Sequence, residues 1–234
     1  MTNQTAPKLV LNDRLLGCSE FVTRGGIACD VGTDHAYLAS YLAMNGISKH
    51  VYACDIALGP LEAARSTVSK LGLSDKVTII QSDGLDNVPN ENVTDVIIAG
   101  MGGELITDIV LRADWLKRGV NLVLQPQSKA SELRKALCEN GYEIKSEKAF
   151  PDRDFCYPVI NAVYTGSVIE LDEISSIVGK LDLNAENSRK YIKTVADRMI
   201  SSASGISRSK DESTRERAKK LSETAQKLYQ LIGG

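Results

Sequence analysis

Four short segments rich in aspartate or glycine carry the side chains best suited to chemistry, and each follows a run of apolar residues. The first is Asp30-Val31-Gly32-Thr33-Asp34-His35. Gly32 has no Cβ, so backbone there can approach a ligand closely. A pyrophosphate loop would need G-x-G-x-x-G and a helix N-terminus aimed at the phosphates. This loop has one glycine and two carboxylates, which repel a pyrophosphate and attract a cation. S-adenosylmethionine, with an α-ammonium and a sulfonium, suits that charge better than a nicotinamide dinucleotide does. The second segment is Asp55-Ile56, where the acid can accept hydrogen bonds from ribose hydroxyls or cap the next helix. The third, Ser82-Asp83-Gly84, offers a carboxylate to the exocyclic amine of an adenine, or is an ordinary Asp-Gly turn. The fourth, Gly100-Met101-Gly102-Gly103, leaves room for a cofactor and a second planar group.

These segments need a scaffold that brings them to one edge. Residues 27–31, 51–56, 77–80, 93–99 and 120–124 are short, rich in β-branched residues and bounded by turn formers, as strands are. Helical periodicity fills 36–45, 60–71, 104–111 and 129–139. Pro60 suits a first helical turn and Gly72 a helix end. Strands apolar on both faces and separated by helices predict a parallel sheet covered on both sides. Open sheets of this kind bind ligands at the carboxyl ends of their strands. Residues 142–148 and 157–164 then predict two strands with no helix between them, an antiparallel hairpin joined by a loop over 150–155. Five parallel strands finishing in an antiparallel pair predict an α/β fold, and the arrangement resembles the seven-stranded Rossmann-like sheet of class I methyltransferases. A short helix over 12–22, capped by Asn12, precedes the sheet.

The rest of the chain reads as helical. Tyr191, Val195 and Met199 form one apolar stripe; Ala218, Leu221, Ala225, Leu228 and Ile232 form another. With 201–209 as the turn, they predict a coiled-coil-like hairpin, bridged to the sheet by a short helix over 172–180. The expected division is a catalytic domain over 1–166 and a helical hairpin domain over 167–234. Residues 185–234 hold eleven basic and six acidic side chains, a balance of +5. With a formal net charge of -2 for the whole chain, the remainder carries -7. The basic tail suits a polyanionic partner or is a solvated helical face.

The composition is that of an ordinary globular chain, 43% hydrophobic and 25% charged in 234 residues. Cys18, Cys29, Cys54, Cys138 and Cys156 form no CxxC pair and are odd in number, against a disulfide framework or a zinc site. No metal is expected. There is no signal-peptide run or membrane-length apolar stretch, so the expected compartment is the reducing cytoplasm, with no membrane partner. The oligomeric state stays open, a monomer included.

DVGTDHAYL, IAGMGGELI and LVLQPQ, with NDRLL upstream and CYPV downstream, resemble the bacterial tRNA adenine-22 N1-methyltransferases, and the resemblance spans essentially the whole chain. Thr33 stands where a serine is also familiar in the family, and Pro158 where the last motif often differs. The resemblance implies methyl transfer from S-adenosylmethionine to N1 of adenine 22 in tRNA. An enzyme acting on a small molecule or another RNA site is the alternative. It also implies a cofactor pocket lined by Asp30, Gly32, Asp55, Ile56, Asp83, Gly84, Gly100, Met101 and Gly102. Arg14 would reach the cofactor carboxylate or a substrate phosphate. Asp34 and His35 would lie nearest the transferred methyl as catalytic residues. Asp34 would offset charge on the methylated base, or else cap the helix after strand one; His35 would stack, donate a hydrogen bond or serve structure. Gly103, Gln125 and Pro126 would shape the entrance for the target base. Tyr37, Tyr157 or Met101 would offer it a face, or pack in the core or against the cofactor.

Overall fold

Alternation along the central strands sends neighbouring side chains to opposite faces of one sheet. Ala28, Ile97 and Val123 pack into one core; Cys29, Val96, Ile98, Leu122 and Leu124 pack into the other. A computed structural model describes residues 9–233 and shows how these faces are covered. The strands are β1 (Gly26–Val31), β2 (Ser48–Asp55), β3 (Val77–Gln81), β4 (Asp95–Gly102), β5 (Asn121–Ser128), β6 (Tyr142–Asp152) and β7 (Phe155–Tyr164). They form a seven-stranded sheet in the order β3-β2-β1-β4-β5-β7-β6. β1 to β5 are parallel, and β7 pairs antiparallel with both β5 and β6.

Helices α1 (Asp13–Glu20), α2 (Tyr37–Met44) and α3 (Leu58–Lys70) supply residues such as Cys18, Leu42 and Ala64 to the first core. Helices α4 (Gly103–Arg112) and α5 (Ala130–Glu139) supply Ile106, Val110, Leu133 and Leu137 to the second. The Asn12 side chain accepts from the Leu15 N–H at 3.0 Å, the expected cap of α1. The strand order reverses between β1 and β4, and such a switch point opens a crevice at the strand ends.

Several boundaries differ from the sequence reading, among them that of β5, expected over 120–124, which runs on to Ser128. β4 runs on through Gly100 and Met101 to Gly102 instead of ending at residue 99. A bulge at Gly100 (φ +83°) lets Met101 and Gly102 keep pairing with Pro126 and Ser128. The expected 150–155 loop is mostly strand, because β6 and β7 pair out to Asp152 and Phe155 and leave a two-residue turn. The expected 201–209 turn is helical as far as Ile206, since Ala203 is buried within the hairpin. Tertiary burial outweighs the weak helix propensity of its serines and glycine.

Beyond the sheet lie α6 (Glu173–Val178), α7 (Glu186–Ile206) and α8 (Glu212–Leu231). Tyr191, Ile192 and Ala196 of α7 meet Ala225 and Leu228 of α8, and the same cluster takes in Ala149 and Cys156 of the β6–β7 hairpin. No helix among the described residues is long and apolar enough to cross a membrane.

Candidate active site

The tips of β1, β2 and β4 meet at the switch point. The Gly32 and Thr33 N–H groups both donate to the Cys54 carbonyl, at 2.8 and 2.9 Å, tying the first loop to the end of β2. Gly32 has φ +72°, and a Cβ there would run into the Met101 methyl. Glycine at 32 thus suits both the positive φ and the Met101 side chain lying against the β1 loop. Two segments 69 positions apart in sequence are thus in contact.

Asp30 is buried and accepts a hydrogen bond from Thr33 Oγ1 at 2.8 Å. Burial pushes its carboxyl up to about 6, although the hydrogen bonds from Thr33 and the Ala39 N–H oppose the rise. Asp55 accepts from the Ala57 N–H at 2.8 Å. The first residue before α3 is Ala57, so Asp55 makes a local turn and is not the helix cap. Ile56 beside it is 62% exposed, an apolar side chain left open at a strand tip.

Asp34 and His35 stand out from the crevice, with His35 Nε2 3.5 Å from Asp34 Oδ1. His35 and Ala36 both have positive φ, 55° and 53°, which is costly for residues bearing a Cβ. α2 begins after Ala36 with no side-chain cap, so Asp34 does not cap it. His35 stacks on Tyr37, with ring centroids 5.3 Å apart and planes within 8°. The result is an exposed carboxylate beside a paired aromatic surface.

Asp83 is held by Arg112 from the last turn of α4. Arg112 Nη2 donates to Asp83 Oδ1 at 3.0 Å and to its carbonyl at 2.9 Å, while Arg112 Nε lies 3.1 Å from Asp86. Asp83 therefore offers a ligand only the acceptor capacity this arginine leaves. Gly84 (φ +55°) lies against Ile109.

Arg14 and Gln125 belong to one network. Gln125 Oε1 accepts from Arg14 Nη1 at 2.6 Å, from the Gly100 N–H at 3.0 Å and from Gln127 Nε2 at 3.3 Å. Arg14 Nε donates to Asp152 Oδ2 at 2.9 Å. Arg14 thus clamps α1 to the bulge of β4 and the end of β6.

The expected entrance residues part company. Gln125 is fully buried and supports Gly100 from beneath. Gly103 is buried too, and a Cβ there would strike the Lys129 backbone. Both hold the loop in place and line no opening, because they face packed backbone and side chains. Gly102 ends β4 and immediately precedes α4, and a Cβ there would lie 3.3 Å from Ser128 Oγ. Pro126 and Tyr157 border a cavity of about 500 Å³ between the sheet and the helical hairpin. Arg112 and Asp152 were missed by sequence reading; neither lies near its partner in the chain, so no local motif marks it.

The profile of the methyltransferase domain family matches residues 11–160. The chain is 33% identical over 175 residues to the tRNA (adenine(22)-N(1))-methyltransferase of Bacillus subtilis, covering 74% of each chain. Among solved structures it is similar to the B. subtilis M1A22 tRNA methyltransferase TrmK, with a TM-score of 0.82 and 26% identity over 96% of this chain and 100% of that one. It is also similar to M. capricolum TrmK in complex with S-adenosyl-homocysteine, with a TM-score of 0.78 and 26% identity over 95% of this chain and 99% of that one.

Proposed function

The chain belongs to the methyltransferase domain family, among the bacterial tRNA (adenine(22)-N(1))-methyltransferases, and from that membership we propose that it methylates N1 of adenine 22 in tRNA, with S-adenosylmethionine as donor. The observation that carries this reading is the crevice at the β1–β4 switch point. There Met101 lies over Gly32, and the carboxylates of Asp30 and Asp55 stand on adjacent strands. The residues present fit the cofactor. Asp55 has one oxygen committed to Ala57 and another free for a ribose hydroxyl. Exposed Ile56 offers an apolar face to an adenine ring. Gly100 and Gly102 carry no side chain into the crevice.

S-adenosylmethionine supplies an electrophilic methyl on a cationic sulfur. Adenine N1 has a lone pair and needs no base to unmask it. Alkylation there leaves a positive ring, and the exposed Asp34 carboxylate supplies the opposing charge. Most of the remaining acceleration comes from holding the two reactants at near-attack distance. The stacked His35–Tyr37 pair offers the target base a flat wall. N1 lies on the pairing edge, so the base must leave its stack, at a cost of roughly a few kcal/mol. Arg14 acts through Gln125, fixing the Gly100 bulge.

The test is mass spectrometry of nucleosides from tRNA incubated with the protein and S-adenosylmethionine. The expected product is 1-methyladenosine, and Asp34→Ala should lower its rate roughly 100-fold. No methylated adenine, or a methyl on another base, would overturn the proposal.

A further inference from the structure

The cavity between the sheet and the helical hairpin is lined by none of Asp30, Gly32, Asp55 or Met101. Its inner rim is Pro126, Gln127 and Ser128 of β5. Pro126 and Ser128 pair with Met101 and Gly102, so the rim lies one strand from the glycine-rich loop. Its floor includes Phe155 and Tyr157 of β7, and its far wall is α7 and α8. Phe155 is 43% exposed, with the Arg198 guanidinium lying over its ring.

The charge on the walls has a clear sign. Lys129, Lys135, Arg198 and Arg217 line the cavity against Glu132 and Glu173. Lys220 lies 3.5 Å from Glu173 and offsets it, while Lys129 is bound to Glu104. Arg198, Arg217 and Lys135 have no ion pair among the described residues. The Arg198 guanidinium lies 5.1 Å from the Phe155 ring centroid, so a cation and a flat ring face the same space. Partly exposed aromatic rings beside guanidinium groups without ion pairs suit a single-stranded nucleotide site: a base stacks on a ring, and the phosphates meet the arginines.

We infer that this cavity seats an unstacked nucleotide of the substrate RNA next to the target adenosine, its base on Phe155 and Tyr157 and its phosphates on Arg198 and Arg217. The inference rests on the tRNA reading above. It makes the hairpin part of the substrate site, gripping the strand that delivers the base to the crevice.

The experiment measures binding of unmodified tRNA across a salt series, with wild-type methylation and S-adenosylhomocysteine titration run alongside. Arg198→Ala combined with Arg217→Ala should weaken tRNA binding and flatten the plot of log K against log salt by about 2. Phe155→Ala should raise the Kd about tenfold with the slope unchanged. Both variants change exposed side chains and should bind S-adenosylhomocysteine as the wild type does. If the wild type methylates tRNA and neither variant alters its binding, the cavity is no RNA site, although the tRNA reading survives. An effect of the arginines without one from Phe155 overturns the stacked base. A wild type that leaves tRNA unmodified overturns both proposals together.

Discussion

Asp30 carries a conflict between stability and binding. Its raised pKa means that the folded chain holds a proton the unfolded chain has released between about pH 4 and 6. Stability from this group is therefore present at low pH and lost as pH rises through about 6. At pH 7 the buried anion costs up to about 3 kcal/mol by the same linkage. Asp30→Asn should then raise the melting temperature of the ligand-free protein at pH 7, read by a thermal melt. A cationic ligand reverses the preference, because it favours the ionised carboxylate. S-adenosylmethionine affinity should thus fall as pH drops from 7 to 5, and Asp30→Asn should flatten that dependence while weakening binding, both read by calorimetry. The placement of Asp30, Gly32, Asp55, Asp83 and Gly100 at or just past strand ends is legible in the sequence, because each follows an apolar, β-branched run. Their partners are not legible: Arg112 reaches Asp83 across 29 positions, and Arg14 reaches Asp152 across 138.

Arg134 of α5 and Glu147 of β6 form a fully buried pair, with Arg134 Nη2 2.7 Å from Glu147 Oε2. Arg134 Nη1 also donates to the Ser176 and Ile177 carbonyls at 2.9 Å, satisfying the end of α6. One guanidinium therefore joins three elements. Arg134→Ala should cost about 3–5 kcal/mol by leaving Glu147 buried and unpaired, read by urea unfolding. Gly179 ends α6 at φ +59°, and a Cβ there would strike Glu147. Gly179→Ala should destabilise through the same pair. The types of the seven strands and of helices α1 to α8 were legible from periodicity, whereas the short 3-10 helix Asp114–Arg118 was not. Boundaries failed where long-range pairing decided them: the β4 bulge, the long β6–β7 hairpin, and the extra turns of α7. In α7 the buried face runs through Ile192 and Ala196, which leaves Val195 and Met199 half-buried along the cavity.

At the scale of the molecule, an acidic sheet region and a basic hairpin share apolar contacts. Ala149 and Cys156 of the sheet lie in the same cluster as Ile192 and Leu228. Removing residues 185–234 should therefore lower the melting temperature as well as weaken tRNA binding, because it strips cover from the β6–β7 hairpin. The charge division was legible by counting, but the cavity between hairpin and sheet was not, since it depends on how α7 and α8 dock on β7. All of this turns on where the adenosyl group binds. The most direct test is a crystal structure of the chain with S-adenosylhomocysteine. The ribose should lie on Asp55, with the adenine beside Ile56 and the homocysteine near Gly32 and Met101. An adenosyl group seated between the sheet and the helical hairpin would contradict the account.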